Sequence, residues 1–413
     1  MSTTSPQPVA DPPRPPARRW PAARVGAVLL AVAALALTVV LHATHHNWLV
    51  LGLASTDMRE LHADFDTFWH SAVALTQGGD IYATPAKLRN LNPPLLSLLL
   101  APFAGLDVVL AYRVFAALTL LLIVGAVLVV CRELRLPWWW TAGATLAMLA
   151  SSPLHGTLYL GQIYGLLLVG LVAGWVAERR GHPLLAGTLY GVTVALKPSL
   201  APVLLLPAVQ LRWRPFWAGI GGAVVATLVG ALAAGPSSAL EWLRIGFGEP
   251  VPDVLDNAAL PGEALRLGLP SAVGTLLGAA ALVGTLVLLA RRSRTGAVDP
   301  AGTAPWAVIA ASLLMSPISW HNYVLLLWPG VLAVVAASAA GSARRAWAAA
   351  LLALPLVPVS WGDLWTPEDP WTPVGRSLYC AILLAYWLTL LRAVDRSTTM
   401  TRDSAPPDRV MVP

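Results

Sequence analysis

Between His62 and Tyr82 the chain reads HADFDTFWHSAVALTQGGDIY, which places two carboxylates, Asp64 and Asp66, among the histidines His62 and His70 directly after an apolar segment. Ionisable groups held this close to a membrane-type helix are costly to keep and by default mark a functional site. On a helix the two aspartates lie about 200° apart around the axis and face nearly opposite ways, which argues against a chelating pair. Asp64 shares a face with Phe68 and Ser71, and Asp66 shares one with His62 and His70. The second set can bind a metal in principle, but the solvated face of an interfacial helix is the preferred reading, and no metal is assigned. A general base needs a partly desolvated carboxylate, and the apolar-flanked Asp64 fits that better than Asp66.

Other polar residues interrupt apolar runs further along. Gln162 begins an apolar segment just after His155 and Tyr159. Lys197, one of only two lysines, sits inside the apolar stretch 182–211, where an ionisable group needs an anionic or carbonyl partner or must snorkel to the interface. The run Ser316-Pro317-Ile318-Ser319-Trp320-His321-Asn322-Tyr323 joins two apolar segments and sets His321 among polar groups. Asp256-Asn257 and Arg266 add an amide and a cation nearby in sequence. No phosphate-binding loop, dinucleotide fingerprint, HExxH or CxxC occurs, so nucleotide-driven and soluble-cofactor chemistry have no support.

The elements that must position these residues are membrane helices. Of 413 residues 57% are hydrophobic and 12% charged, about half the charge of a soluble domain. Net charge is +6, but the basic residues are dispersed between apolar runs, so no nucleic-acid partner is implied. Cys131 and Cys380 sit at or within apolar runs and give no disulfide or zinc framework. The expected organisation is all-α and polytopic: a disordered basic tail over 1–24, a transmembrane domain over 25–392, and a disordered tail over 393–413.

Apolar segments near 25–43, 108–130, 137–152, 160–177, 183–195, 198–211, 215–234, 269–290, 304–316, 320–340, 346–361 and 374–392 suggest about twelve crossings. Arginine clusters follow every second segment and, with a cytoplasmic N-terminus, all fall inside. Keeping Arg212 and Arg214 inside requires a helix break at Lys197-Pro198. The long outer loops are then 44–107 and 235–268. The first holds an amphipathic helix from Ala63 to about Gln77, stopped at Gly78-Gly79, and a re-entrant or interfacial segment from Pro93 to Ala104. Trp138, Trp139, Trp140, Trp320, Tyr323, Trp361, Trp365 and Trp371 read as an aromatic belt.

Taken together, Asp64-Phe65, Gly78-Gly79-Asp80-Ile81-Tyr82, Asn92-Pro93-Pro94, Gly161-Gln162, Ala195-Leu196-Lys197-Pro198, Asp256-Asn257 with Leu265-Arg266-Leu267, and Ser319-Trp320-His321 resemble, in order, the motifs of glycosyltransferase family 87. The resemblance implies a GT-C membrane fold, a polyprenyl-phosphate-sugar donor carrying mannose, with arabinofuranose as the alternative, and a glycolipid or glycan acceptor. It implies no cofactor beyond the lipid-linked donor, and a site on the non-cytoplasmic side of the plasma membrane. It makes Asp64 the general base, with Asp66 and Asp80 as nearby carboxylates, and His321 the outer-face histidine. Tyr82, Asn92, Gln162, Lys197, Asn257, Arg266 and Trp320, with Asp66, become candidates for substrate binding. A transporter or flippase for lipid-linked sugars is the competing class; it would use Lys197-Pro198 as a broken-helix binding site.

Overall fold

The computed structural model describes residues 22–44, 52–248, 250–295, 299, 301–365 and 369–395, without the side chains of 246–248 and 395. Within them the chain is helical, with one isolated β-bridge. The tails expected at 1–24 and 393–413 lie outside the described residues except at their inner edges. There Ala22 already begins the first helix and Asp395 still belongs to the last.

The first helices in chain order are α1 Ala22–Ala43, α2 Ala63–Thr76, α3 Pro94–Leu100, α4 Val108–Glu133, α5 Trp138–Leu149 and α6 Ser152–Leu160. Next come α7 Tyr164–Arg179, α8 Pro183–Leu196, α9 Leu205–Val209, α10 Trp213–Ala234, α11 Pro236–Gly248 and α12 Leu260–Arg266. The last are α13 Ser271–Arg294, α14 Ala304–Met315, α15 Trp328–Ala337, α16 Ala343–Ala353, α17 Thr372–Arg376 and α18 Leu378–Asp395. Four of them, α1, α4, α10 and α13, are long and apolar enough to cross a bilayer alone, with mean hydropathies of 2.5, 3.0, 1.8 and 2.2. Side chains such as Leu29, Leu121, Leu232 and Leu276 stand outward on these helices, as lipid contact requires.

The remaining expected spans are divided by identifiable local chemistry. The segments 137–152 and 160–177 become three helices. The Ser151 hydroxyl caps α6 by accepting from the Leu154 N–H at 3.4 Å, and Gly161 ends it at φ 71°, in the left-handed region that favours glycine. A side chain there is also excluded, because a Cβ would lie 2.4 Å from that of Phe65. The segment 346–361 is a short helix followed by 3-10 turns at Pro355 and beyond Pro358.

The break at Lys197-Pro198 is present. Helix α8 stops at Leu196, and Pro198–Leu204 continues as a 3-10 helix into α9. The charged ends show that the chain turns back there. Arg212 pairs with Glu178, Arg180 Nη2 lies 2.9 Å from Glu133 Oε2, and Ser293 Oγ donates to the Gln210 carbonyl at 3.2 Å. The arginine-rich ends of α4, α7 and α13 and the start of α10 therefore share one end of the bundle, and Lys197 and Gln162 lie at the opposite ends of α8 and α7. A glycine seam sets the position of α8. A Cβ on Gly187 would fall 2.3 Å from the Pro215 carbonyl oxygen, and one on Gly191 2.1 Å from that of Gly219. Small residues at these positions let the backbones of α8 and α10 touch.

Candidate active site

Helix α2 carries Asp64 one residue inside its first turn, and Gly78 at φ 70° follows its end, as the Gly78-Gly79 stop predicted. The helix is not an interfacial one, however. Phe65, Asp66, Thr67, Phe68, Ser71 and Ala72 are all buried, so it is packed into the protein on most sides. His62 is fully buried, stacked on Tyr112 with ring centroids 3.9 Å apart and hydrogen-bonded to the Tyr159 and Ser55 carbonyls. The solvated face expected for His62, Asp66 and His70 is thus corrected in part: α4 and α6 cover His62 and Asp66 is buried, while the His70 side chain stays 26% exposed. Among the described residues no group of three metal-ligating side chains forms.

Asp64 and Asp66 do face different surroundings. Asp64 is half-buried; its Oδ2 accepts from the Gln162 amide at 2.6 Å, and it lines a cavity of about 580 Å³. Burial pushes its carboxyl up to about 6, while the Gln162 hydrogen bond and the Lys197 ammonium favour the charged form. Asp66 is 3% exposed, 3.5 Å from His70 Nε2, and does not line that cavity. Its carboxyl is also pushed up by burial, with His70 and Arg59 opposing. Asp80 is exposed and spends Oδ1 on the Tyr82 N–H at 2.8 Å, forming a turn.

The Asp64 cavity is further lined by Leu160, Asp253, Asp256, Arg266, Trp320 and Arg376. On its other side Trp320 lines a second, more apolar cavity of about 430 Å³ with Asn92, Lys197, Pro198, Trp242, Met315 and Tyr323. Trp320 and Tyr323 therefore wall cavities instead of standing in a lipid belt; Trp138, Trp139 and Trp371 remain exposed as a belt requires. Lys197 Nζ donates to Asn92 Oδ1 at 3.4 Å and lies 5.8 Å from the centre of the Tyr323 ring, a cation–π distance. Asn92 is in turn fixed by Asn90, whose amide donates to Ser71 Oγ at 3.1 Å, and Tyr82 donates to the Asn92 carbonyl at 2.9 Å. Tyr82 thus supports this loop and lines neither cavity.

Asn257 is a correction to the expected contact residues. Its amide donates to the Pro252 and Pro317 carbonyls at 3.1 and 3.0 Å, and its Oδ1 accepts from the Ala259 and Ser319 N–H groups at 3.2 and 3.1 Å. Those four bonds use the whole capacity of the side chain. With Ala258 N–H to Ser319 C=O at 2.7 Å and His321 N–H to Asp256 C=O at 2.6 Å, it clamps the second outer loop to the 316–321 segment and so holds Trp320. His321 is also not where a catalytic group would stand. Its ring is fully buried beside Tyr379, 3.9 Å from Asp256 Oδ2, and lines neither cavity. It sits behind Asp256, the residue that does face the cavity.

Arg266 reaches the cavity but is engaged, donating to Glu263 and to the Val254 carbonyl at 2.7 Å. Asp253 and Arg376 are lining residues that sequence reasoning missed. Arg376 had a signal: it is a basic residue in a stretch that the charge pattern of the sequence assigns to the acidic, outer side.

The family model for glycosyltransferase family 87 matches residues 90–317. A polyprenol-phosphate-mannose-dependent alpha-(1-2)-phosphatidylinositol mannoside mannosyltransferase of Mycolicibacterium smegmatis is 28% identical, over 88% of this chain and 86% of that protein. An alpha-(1->3)-arabinofuranosyltransferase of Mycobacterium tuberculosis is 29% identical, over 79% and 77%. Among solved structures, ArnT from Cupriavidus metallidurans bound to undecaprenyl phosphate is similar with TM-score 0.39 and 16% identity, over 90% of this chain and 78% of that one.

Proposed function

This chain belongs to glycosyltransferase family 87, and from that premise we propose that it moves mannose from a polyprenyl-phosphate donor to a hydroxyl of an envelope glycolipid or glycan. The reaction lies on the non-cytoplasmic side of the plasma membrane, with the arginine-rich end of the bundle in the cytoplasm and about twelve crossings that leave both termini there. The observation that carries the reading is Asp64: a carboxylate held by Gln162, in a polar cavity separated by Trp320 from the apolar cavity of Lys197.

The division suits a single displacement. The acceptor hydroxyl enters beside Asp64, whose carboxylate takes its proton as the oxygen attacks the anomeric carbon. The bond from that carbon to the donor phosphate breaks on the opposite side, so the configuration inverts. The lipid phosphate departs as an anion and needs positive charge, not a proton; Lys197, in the apolar cavity that suits a polyprenyl chain, supplies it. His321 then acts through Asp256 as a positioning residue. Arabinofuranose transfer is the second reading, favoured by the arabinofuranosyltransferase relative at similar identity. A flippase has no use for a carboxylate held by an amide beside a cavity lined with further carboxylates and arginines.

The test is label transfer in membranes containing the full chain, from polyprenyl-phosphate mannose and separately from polyprenyl-phosphate arabinofuranose. Product from the mannose donor that disappears in Asp64→Asn is the expected result. Transfer from neither donor, or an undiminished rate in Asp64→Asn, overturns the proposal.

A further inference from the structure

The family match ends at residue 317, yet the cavity beside Asp64 is completed by segments beyond it. The 3-10 turn Val359–Leu364 packs Gly362 against Leu255 on the cavity wall, so closely that a Cβ would lie 2.8 Å from the leucine side chain. Trp365 lies over Gly375 in α17, where a Cβ would fall 2.2 Å from its ring. The Ser377 hydroxyl and Arg266 hold opposite oxygens of Glu263, which joins the start of α18 to α12. This packing delivers Arg376 to the cavity. Arg266 has spent its charge on Glu263. Arg376 makes one hydrogen bond among the described residues, from Nη2 to the Trp365 carbonyl at 3.4 Å, and keeps most of its donors.

The lining also says what those donors meet. Asp64, Asp253 and Asp256 supply three carboxylates against one uncompensated guanidinium, so an anionic ligand would face net repulsion. A neutral ring bearing hydroxyls can donate to the carboxylates, accept from the arginine and lay its C–H face on Trp320. We propose that Arg376 is the acceptor-selecting residue of this enzyme, donating to oxygens of an uncharged sugar or cyclitol ring that lies against Trp320 with its reacting hydroxyl at Asp64. Asp253 and Asp256 accept from the ring's other hydroxyls. The inference rests on reading the Asp64 cavity as the acceptor side.

The experiment uses the full chain in lipid nanodiscs, with saturating polyprenyl-phosphate-sugar donor and octyl α-mannoside varied as acceptor. Arg376→Ala should raise the acceptor KM about tenfold or more, the loss of a charge-assisted hydrogen bond, with donor KM and kcat unchanged. Arg376→Lys should recover part of the loss, which a merely structural role would not predict. An acceptor KM within about twofold of wild type, or an equal rise in donor KM, overturns the proposal. So does a wild-type preference for the 6-phosphate of octyl mannoside that Arg376→Ala abolishes, because the selected group would then be anionic. Binding of octyl α-mannoside without donor, followed by tryptophan fluorescence, separates this inference from the transferase reading. Arg376-dependent binding in a chain that transfers nothing supports the site and overturns the reaction.

Discussion

The two cavities on either side of Trp320 differ in how they treat charge. The Asp64 cavity collects carboxylates and guanidinium groups from four separate stretches of chain, and Asp64 itself is held by a neutral amide. The Lys197 cavity is mostly apolar, and its one cation is held by an asparagine oxygen and an aromatic face, neither of which cancels its charge. The difference separates two demands of glycosyl transfer. A base works best when its proton affinity is raised and its partner neutral, whereas a departing phosphate needs a cation that no carboxylate has already claimed.

The sharpest way to break this comparison is at the base. Asp64→Asn should lower transfer by at least about 10²-fold. Asp66→Asn, in the buried pair with His70, should leave the rate per folded molecule near wild type; the reverse ranking in initial-rate assays would exchange the two roles. Next comes the cation. Lys197→Ala should reduce turnover by about 10²-fold while leaving the acceptor KM in place, and a selective effect on the acceptor would erase the division.

The pH profile follows with a smaller effect. A base whose carboxyl is pushed up to about 6 predicts a rate that climbs through that pH and is flat above it. The linked stability runs the other way. The folded carboxyl holds its proton to higher pH than the ordinary 3.8, so its contribution to stability is lost as pH rises towards about 6. Asp64→Asn should therefore unfold at a higher temperature than wild type above pH 6, with the gain vanishing near pH 4; an unchanged or lower Tm at neutral pH contradicts the burial of Asp64. The smallest effect expected is at the clamp. Asn257→Ala leaves buried partners unsatisfied and should cost about 2 kcal/mol of stability, with transfer impaired in the surviving folded protein through a displaced Trp320.

What was legible in the sequence was local backbone chemistry. Gly78-Gly79 stops α2, Pro198 stops α8 at Lys197, and the helical period separates Asp64 from Asp66, each within a few residues. The recurring arginines identified the shared end of the bundle, which the Arg212–Glu178 and Arg180–Glu133 pairs bear out. What failed depended on distant partners. His62 and Asp66 read as solvated because nothing nearby in sequence says that both are buried, His62 against α4 and α6. Asn257 and His321 read as contact residues because they stand among polar groups in motifs of the resemblance, yet the one spends its amide on backbone groups and the other is fully buried. Arg376 was overlooked because only the packing of Trp365 and Gly362 brings its short helix to the cavity.

The bond between Asp64 and Gln162 joins residues 98 positions apart. During synthesis the first outer segment must therefore wait, its carboxylate open to water, until the α6–α7 hairpin has been made and inserted. Lys197 arrives after that, and Arg376 almost last. The order in which the ribosome delivers these side chains is thus also the order in which the two cavities acquire their walls. Helix α18, whose Tyr386 and Leu390 are fully buried in the core, follows Arg376, so the walls of the two cavities are complete only once that helix has packed.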